Sequence, residues 1–302
     1  MQGKLLVVGS LNMDLVVNIA RHPQIGETIL GGKFTTFPGG KGANQAVAAA
    51  RIGAAVTMIG RVGQDGFGDE LRASAANDGI DIQYVIVDKN EATGIALITV
   101  DALGQNTIVV ASGANLALTP QDLHTAKAAF ASADVMITQL ESPLETVSEA
   151  VVLAAQHNLK IVLNPAPAQR LDAKLLSMVD YFIPNEREAM QVVGAETLDS
   201  AIDQLLAMGV RNLIITLGEK GVLVVTPDGR RQIPAYPVIA TDTVAAGDAF
   251  VGAFATGLAE GMSVEQAVQL GNAAAAISVT RYGAQPSLPM RKEINEFLGD
   301  QK

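Results

Sequence analysis

No cysteine occurs in the 302 residues, which removes disulfides, thiolate nucleophiles and Cys-ligated zinc or iron–sulfur sites from consideration. Tryptophan is absent as well, and aromatic residues make up only 4%. A core built from this chain must be filled mainly by Ala, Val, Leu and Ile, which suits helices packed closely on a sheet. The three histidines, His22, His124 and His157, are scattered without metal-like spacing, so each reads as an ordinary surface or loop residue. No apolar run approaches the roughly 20 residues of a membrane helix, and the opening Met-Gln-Gly-Lys has no signal-peptide layout. A soluble cytoplasmic protein is the expectation, with no membrane partner. Positive charge is also scarce: 21 Lys and Arg face 31 Asp and Glu, a formal net charge of −10. Such a surface repels a polyanion, which argues against nucleic acid as the main partner. A small anionic substrate meets a local field and stays open.

The familiar nucleotide signatures are missing too. Gly40-Lys41 is followed by Gly42, and Thr35 stands where a P-loop needs its first glycine. The dinucleotide fingerprint G-x-G-x-x-G is absent, which removes a nicotinamide-dependent dehydrogenase. No G-x-S-x-G elbow supports Ser-His-Asp hydrolysis.

What is present is a well-ordered α/β chain. Hydrophobic residues make up 49% and charged residues 17%, enough for a large buried core. Lys4 to Val8 reads as a strand buried on both faces, and Ala43 to Ile52 as a helix closed by Gly53. Strand-like runs follow at Val56–Ile59, Val135–Leu140, Ile161–Leu163, Tyr181–Ile183 and Leu213–Thr216. Helical patterns at Asp69–Ala76, Pro120–Ala131 and Leu144–Gln156 lie between them. This alternation implies a mainly parallel sheet covered by helices. Two stretches lack helices and read as antiparallel hairpins: Leu15–Ile19 with Glu27–Leu30, and Gly94–Val100 with Thr107–Val110. The expected organisation is an α/β body of residues 1–11, 37–92 and 112–302, carrying a β lid of residues 12–36 and 93–111. Edge extensions are the alternative to a lid. The last third is helical, at Asp248–Leu258, Val264–Thr280 and Met290–Leu298.

Four segments have the chemistry of a site. Gly39-Gly40-Lys41-Gly42-Ala43-Asn44 enters a helix, where free N–H groups, a lysine charge and an asparagine amide favour an oxygen-rich or anionic ligand; a tight strand-to-helix turn is the alternative. Asp242-Thr243-Val244-Ala245-Ala246-Gly247-Asp248 leads small residues into another helix and leaves N–H groups for a transferring phosphoryl group. A lone first-turn acid such as Asp248 would only favour the helix dipole; two acids bracketing a Gly-containing loop are less common. Asn185-Glu186-Arg187-Glu188 follows a strand end, where α/β sheets bind ligands, although Asn185 could simply cap its helix. Thr216-Leu217-Gly218-Glu219-Lys220-Gly221 ends another strand as a phosphate- or adenine-approaching turn, or as a plain hairpin turn.

In this order and spacing the four segments resemble the ribokinase family of carbohydrate kinases, over nearly the whole chain from Gly9 to Ser287. The resemblance implies a Rossmann-like αβα sandwich with a mainly parallel sheet and a small β-sheet lid, often a homodimer through that lid. It implies transfer of the ATP γ-phosphoryl to a sugar hydroxyl, with Mg2+ and K+. On it, Asp248 is the general base, and Ala245, Ala246 and Gly247 form the anion hole. Asn12, Asp14, Gly40, Lys41, Gly42, Asn44 and Glu141 match sugar-side positions. Asn185, Thr216, Gly218, Glu219, Lys220, Gly221, Gly247 and Asn272 match the nucleotide side. Glu188 matches the magnesium-linked acid, and Asp242, Val244, Ser278, Arg281, Gly283 and Ser287 the monovalent-cation loop. The runs Ser10–Asp14, Gln139–Pro143 and Asn164–Ala168 favour D-ribose, phosphorylated at O5. A 2-deoxyribose, ketohexose or nucleoside kinase is the alternative, and a non-catalytic sugar- or nucleotide-binding regulator ranks low because Asp248, Asn185 and Glu188 are all retained.

Overall fold

The computed structural model describes residues 2–300. Its strands are β1 (Lys4–Val8), β2 (Asn12–Asn18), β3 (Phe34–Gly39), β4 (Ala55–Gly63), β5 (Asp81–Asp88), β6 (Gly94–Val100), β7 (Asn106–Ala111), β8 (Val135–Thr138), β9 (Lys160–Leu163), β10 (Tyr181–Phe182), β11 (Asn212–Thr216), β12 (Val222–Thr226) and β13 (Gly229–Ile233). Nine of these form one sheet in the order β13-β12-β11-β10-β9-β8-β1-β4-β5, and the remaining four a second sheet, β3-β2-β6-β7. The large sheet is parallel from β11 through to β5 and ends in the antiparallel hairpin β12–β13.

Alternation along β1 explains the layers. Leu5 and Val7 enter a core shared with helices Lys41–Arg51, Ala246–Ala259 and Val264–Ser278, while Leu6 and Val8 enter a second core on the other face. Both faces are dry, so the strand reads as an unbroken apolar run. Alanines such as Ala46, Ala49, Ala253 and Ala274 let the first set of helices approach closely. The few aromatics are concentrated: Phe130, Phe182, Phe250 and Phe254 are among the largest fully buried side chains. The αβα sandwich with a small accessory sheet is thus the observed fold class.

Two expectations need revision. Glu27–Leu30 forms no strand; β2 pairs instead with Phe34–Gly39, in the register Val17 opposite Phe34 and Asn12 opposite Gly39. The Phe-Thr-Thr-Phe run alternates and carries β-formers on every residue, whereas residues 27–30 lie on the surface near the Arg21–Glu27 ion pair. The helical pattern Pro120–Ala131 is two short helices, Pro120–Thr125 and Lys127–Ser132.

The chain leaves β1 toward β4 and β5 on one side and returns to β8, β9 and β10 on the other. The reversal lies between β1 and β8, and the crevice outside the carboxyl ends of such strands is where open α/β sheets bind ligands. No helix among the described residues is long and apolar enough to cross a membrane.

Candidate active site

Gly40 stands at the start of the helix Lys41–Arg51 with φ 87°, and a Cβ there would meet the Asn12 nitrogen at 2.6 Å. Gly39 packs as closely on the Asp14 carboxylate, and Gly42 on the backbone of Ser10. These glycines therefore serve first to bring the loop after β1 against the helix start. The result is a polar cluster. Ser10 Oγ donates to Glu141 Oε2 at 2.5 Å and accepts from the Gly42 N–H, and Glu141 Oε2 also accepts from the Lys41 N–H at 3.1 Å. This bond spans the ends of β1 and β8.

Asp248 lies in the first turn of the helix Ala246–Ala259 and is only 7% exposed. Its Oδ2 accepts from Asn44 Nδ2 at 3.0 Å and its Oδ1 from Gln45 Nε2 at 2.9 Å. Burial pushes its carboxyl up; Lys41 and the two amides pull it partly back. Asp14, on the same face of β2 as Asn12, is raised to about 7 by burial and then by the charges of Glu141 and Asp248. Burial pulls the Lys41 ammonium down, but Asp248, Glu141, Glu188 and Asp14 outweigh it and hold it above the usual lysine value. One cation therefore balances a buried carboxylate cluster. Met13, between Asn12 and Asp14, faces the other way and is fully buried, so it takes no room from the site.

A cavity of about 860 Å³ adjoins this cluster. It is lined by Thr216, Gly218, Glu219, Lys220, Gly221, Ala246, Gly247 and Asn272, together with Tyr236, Val238, Thr243, Phe250, Ala276 and others. Its size is that of a small-molecule site. The turn at Gly218–Lys220 joins β11 to antiparallel β12, so the hairpin reading of that segment is right and the turn still forms a cavity wall. Asn272 donates to the Pro234 carbonyl at 3.0 Å, tying the wall to its helix.

The helix start at Asp248 carries free donors. Ala245 takes a left-handed conformation, φ 61°. The Ala246 N–H is committed to the Thr243 carbonyl at 3.3 Å, while those of Ala245, Gly247 and Asp248 find no acceptor among the described residues. The available set is Ala245, Gly247 and Asp248, not Ala245, Ala246 and Gly247. A Cβ on Gly247 would meet nothing within 4 Å, so the space above it is open.

Asn185 does cap its helix. Its Oδ1 accepts from the Glu188 N–H and Glu188 Oε2 accepts from the Asn185 N–H, both at 2.8 Å. The box leaves Asn185 Nδ2 and Glu188 Oε1 unused. Asn185 does not line the cavity, but it bridges to Thr216, which does. Burial raises the Glu188 carboxyl, with the Asp248 charge adding to it and the Asn185 N–H and Lys41 opposing, and the Glu188 charge is felt at Lys41.

Asp242 accepts from the Val244 and Gly283 N–H groups, each at 3.0 Å, closing one loop on another. Ser278 and Ser287 share a hydrogen bond at 2.8 Å, and the Arg281 side chain turns away to pair with Glu293. The six residues of the expected cation loop thus fall in one neighbourhood, Arg281 through its backbone alone.

The model of the pfkB family of carbohydrate kinases matches residues 2–291. The chain belongs to this family. Ribokinase of Haemophilus influenzae is 44% identical over 303 residues, 99% of each chain. Deoxyribokinase of Salmonella typhi is 39% identical over 298 residues, 97% of each. Among solved structures, Arabidopsis thaliana ribokinase complexed with ribose and ATP matches with a TM-score of 0.92 at 31% identity, 99% of each chain.

Within this carbohydrate kinase, Gln45 is a site residue that the sequence did not single out. Gln45 holds Asp248, donates also to Asn164 Oδ1 at 3.1 Å, and accepts from Gln139 at 2.6 Å. Asn164 in turn donates to the Ile183 carbonyl. Gln45 adjoins Asn44 in the glycine-rich segment, while Gln139 and Asn164 open the two runs the sequence already singled out, without a hint that they meet at Gln45. Tyr236, which also lines the cavity, carries no such signal.

Proposed function

We propose that this chain transfers the γ-phosphoryl group of ATP to O5 of D-ribose, giving ribose 5-phosphate and ADP. The observation that carries this reading is the position of Asp248: a buried carboxylate held by Asn44 and Gln45, between the polar cluster of Asp14, Lys41 and Glu141 and a cavity reached through Gly247. The sugar occupies the polar side, where Asn12 and Asp14 face vicinal hydroxyls, and ATP the cavity. Asp248 accepts the proton of the attacking hydroxyl, and the O5 lone pair displaces ADP from the γ-phosphorus. The N–H groups of Ala245, Gly247 and Asp248, with Lys41, meet the charge on the phosphoryl oxygens. Burial raises the affinity of Asp248 for that proton, as a general base requires.

Glu188 Oε1 is an uncommitted hard oxygen beside the nucleotide side, which fits magnesium. When bound, magnesium neutralises phosphate charge. The cation loop also fits its ion: the carbonyls of Val244, Arg281 and Gly283 accept no hydrogen bond among the described residues. They would hold potassium with Asp242, Ser278 and Ser287 around them. In this reading, residues 12–36 and 93–111 act as a lid that keeps water from ATP, the protein works in the cytoplasm, and two copies join through the lid.

The likeness to a deoxyribokinase supports 2-deoxyribose as a second reading. A site built to bond the 2-hydroxyl leaves buried groups unpaired with the deoxy sugar. A sugar panel assayed for ADP release, with and without potassium, should therefore give the highest kcat/KM with D-ribose. Equal values for ribose and 2-deoxyribose would sink the preference, and no sugar-dependent release would sink the kinase reading.

A further inference from the structure

Three crossings between body and small sheet meet at one point: the start of β2 at Asn12, the start of β6 at Gly94, and Asn115 just after β7. Asn12 and Asn115 are 3% and 1% exposed. We propose that Asn115 is a positioning residue that locks Asn12 with its NH2 group, not its carbonyl oxygen, toward the sugar. This rests on the reading of Asn12 as a sugar contact.

The backbone of Leu11 dictates the orientation. Asn115 Oδ1 accepts from the Leu11 N–H at 2.9 Å, and Asn115 Nδ2 donates to the Leu11 carbonyl at 3.0 Å. Turning the amide over would set donor against donor and acceptor against acceptor. The second hydrogen of Asn115 Nδ2 goes to Asn12 Oδ1 at 2.7 Å. The oxygen of Asn12 is thereby used, and its NH2 makes no hydrogen bond among the described residues. Gly94 shields the pair: a Cβ there would meet Asn12 Oδ1 at 2.2 Å and Asn115 Nδ2 at 2.4 Å. On the same face of β2, two residues on, Asp14 offers an acceptor. Asn12 as donor and Asp14 as acceptor thus face the sugar with opposite polarity, a pattern that hydroxyls, which both donate and accept, can satisfy.

The test compares wild type with Asn12→Asp, Asn12→Ala and Asn115→Leu by steady-state kinetics. Wild-type turnover on ribose is measured first; its absence sinks the ribose reading alone, and the comparison then uses whichever panel sugar is phosphorylated. Asn12→Asp, acceptor-only at the sugar, should raise the sugar KM by about tenfold, the cost of one mispaired buried group, and at least as much as Asn12→Ala. Asn115→Leu should raise the sugar KM while kcat and the KM for ATP stay within about twofold. Retention of the wild-type sugar KM by Asn12→Asp, with loss in Asn12→Ala, would show that the sugar needs no donor at position 12 and overturn the proposal. A folded Asn115→Leu enzyme with an unchanged sugar KM would also overturn it. Should Asn115→Leu fail to fold, the two Asn12 variants decide alone.

Discussion

At the residue scale, Asp248 and Asp14 are both buried acids with raised proton affinity, yet they differ in what surrounds them. Asp248 has an amide donor on each oxygen. Exchange for Asn keeps its volume, and Asn44, whose Oδ1 is buried without a partner, can turn over to receive the new NH2. Asp248→Asn should therefore fold and bind ATP with a near-normal KM, while kcat falls by about 10²-fold or more. Near-normal turnover would refute the base assignment. Asp14 rises from 3.8 to about 7 on folding. The native state holds its proton more tightly than the unfolded chain, so stability is fully present below about pH 4 and is lost as pH rises through 7. Asn at position 14 removes that penalty, on the order of 4 kcal/mol at pH 8. Thermal melts of the ligand-free Asp14→Asn variant should show a Tm above wild type at pH 8, with the gap closing toward pH 4, and a poorer sugar KM. A pH-independent difference would show that burial does not set the proton affinity of Asp14.

At the scale of elements, two helices hold the pairings at Asp248. Lys41–Arg51 carries Asn44 and Gln45, and Ala246–Ala259 carries Asp248. They touch at Gly252, where a Cβ would meet the Gln45 carbonyl oxygen at 2.6 Å and the Ala48 Cβ at 2.7 Å. Gly252→Ala must push the helices apart, at a cost of about 1–3 kcal/mol. It should also lengthen the Asn44 and Gln45 bonds to Asp248, lowering kcat without any change to a site side chain. A variant with wild-type Tm and kcat would show that this spacing does not govern the site. The helices themselves were legible because alanine-rich stretches, glycine stops and capping residues are local signals. β3 is not legible locally because a strand exists by virtue of its partner: residues 27–30 and 34–37 are both β-prone, and only the pairing with β2 selects the second.

For the whole molecule, the small sheet leaves β7 as an edge, exposed along its length from Asn106 to Ala111. Leu97 and Val109 face each other across β6 and β7 at 49% and 64% exposure. An apolar surface on a free edge invites pairing with another chain, which supports the dimer reading. Val109→Lys should shift the mass measured by light scattering from two chains to one, with little change in the melting of the body. A wild-type protein that runs as a monomer would end that reading.

The sequence by itself determined the alternation of strands and helices, the four polar segments, and the family to which they point, because periodicity, caps and motif spacing are written locally. It also placed Asp248, since a first-turn acid after a small-residue loop is visible in the chain. Tertiary structure alone decided which groups surround that acid. Gln45, Gln139 and Asn164 lie on three separate segments and meet only beside the point between β1 and β8 where the strand order reverses. The orientation of Asn12 likewise hangs on an asparagine 103 residues away. Hydrogen-bond polarity is a property of neighbours in space, and distance along the chain does not encode it.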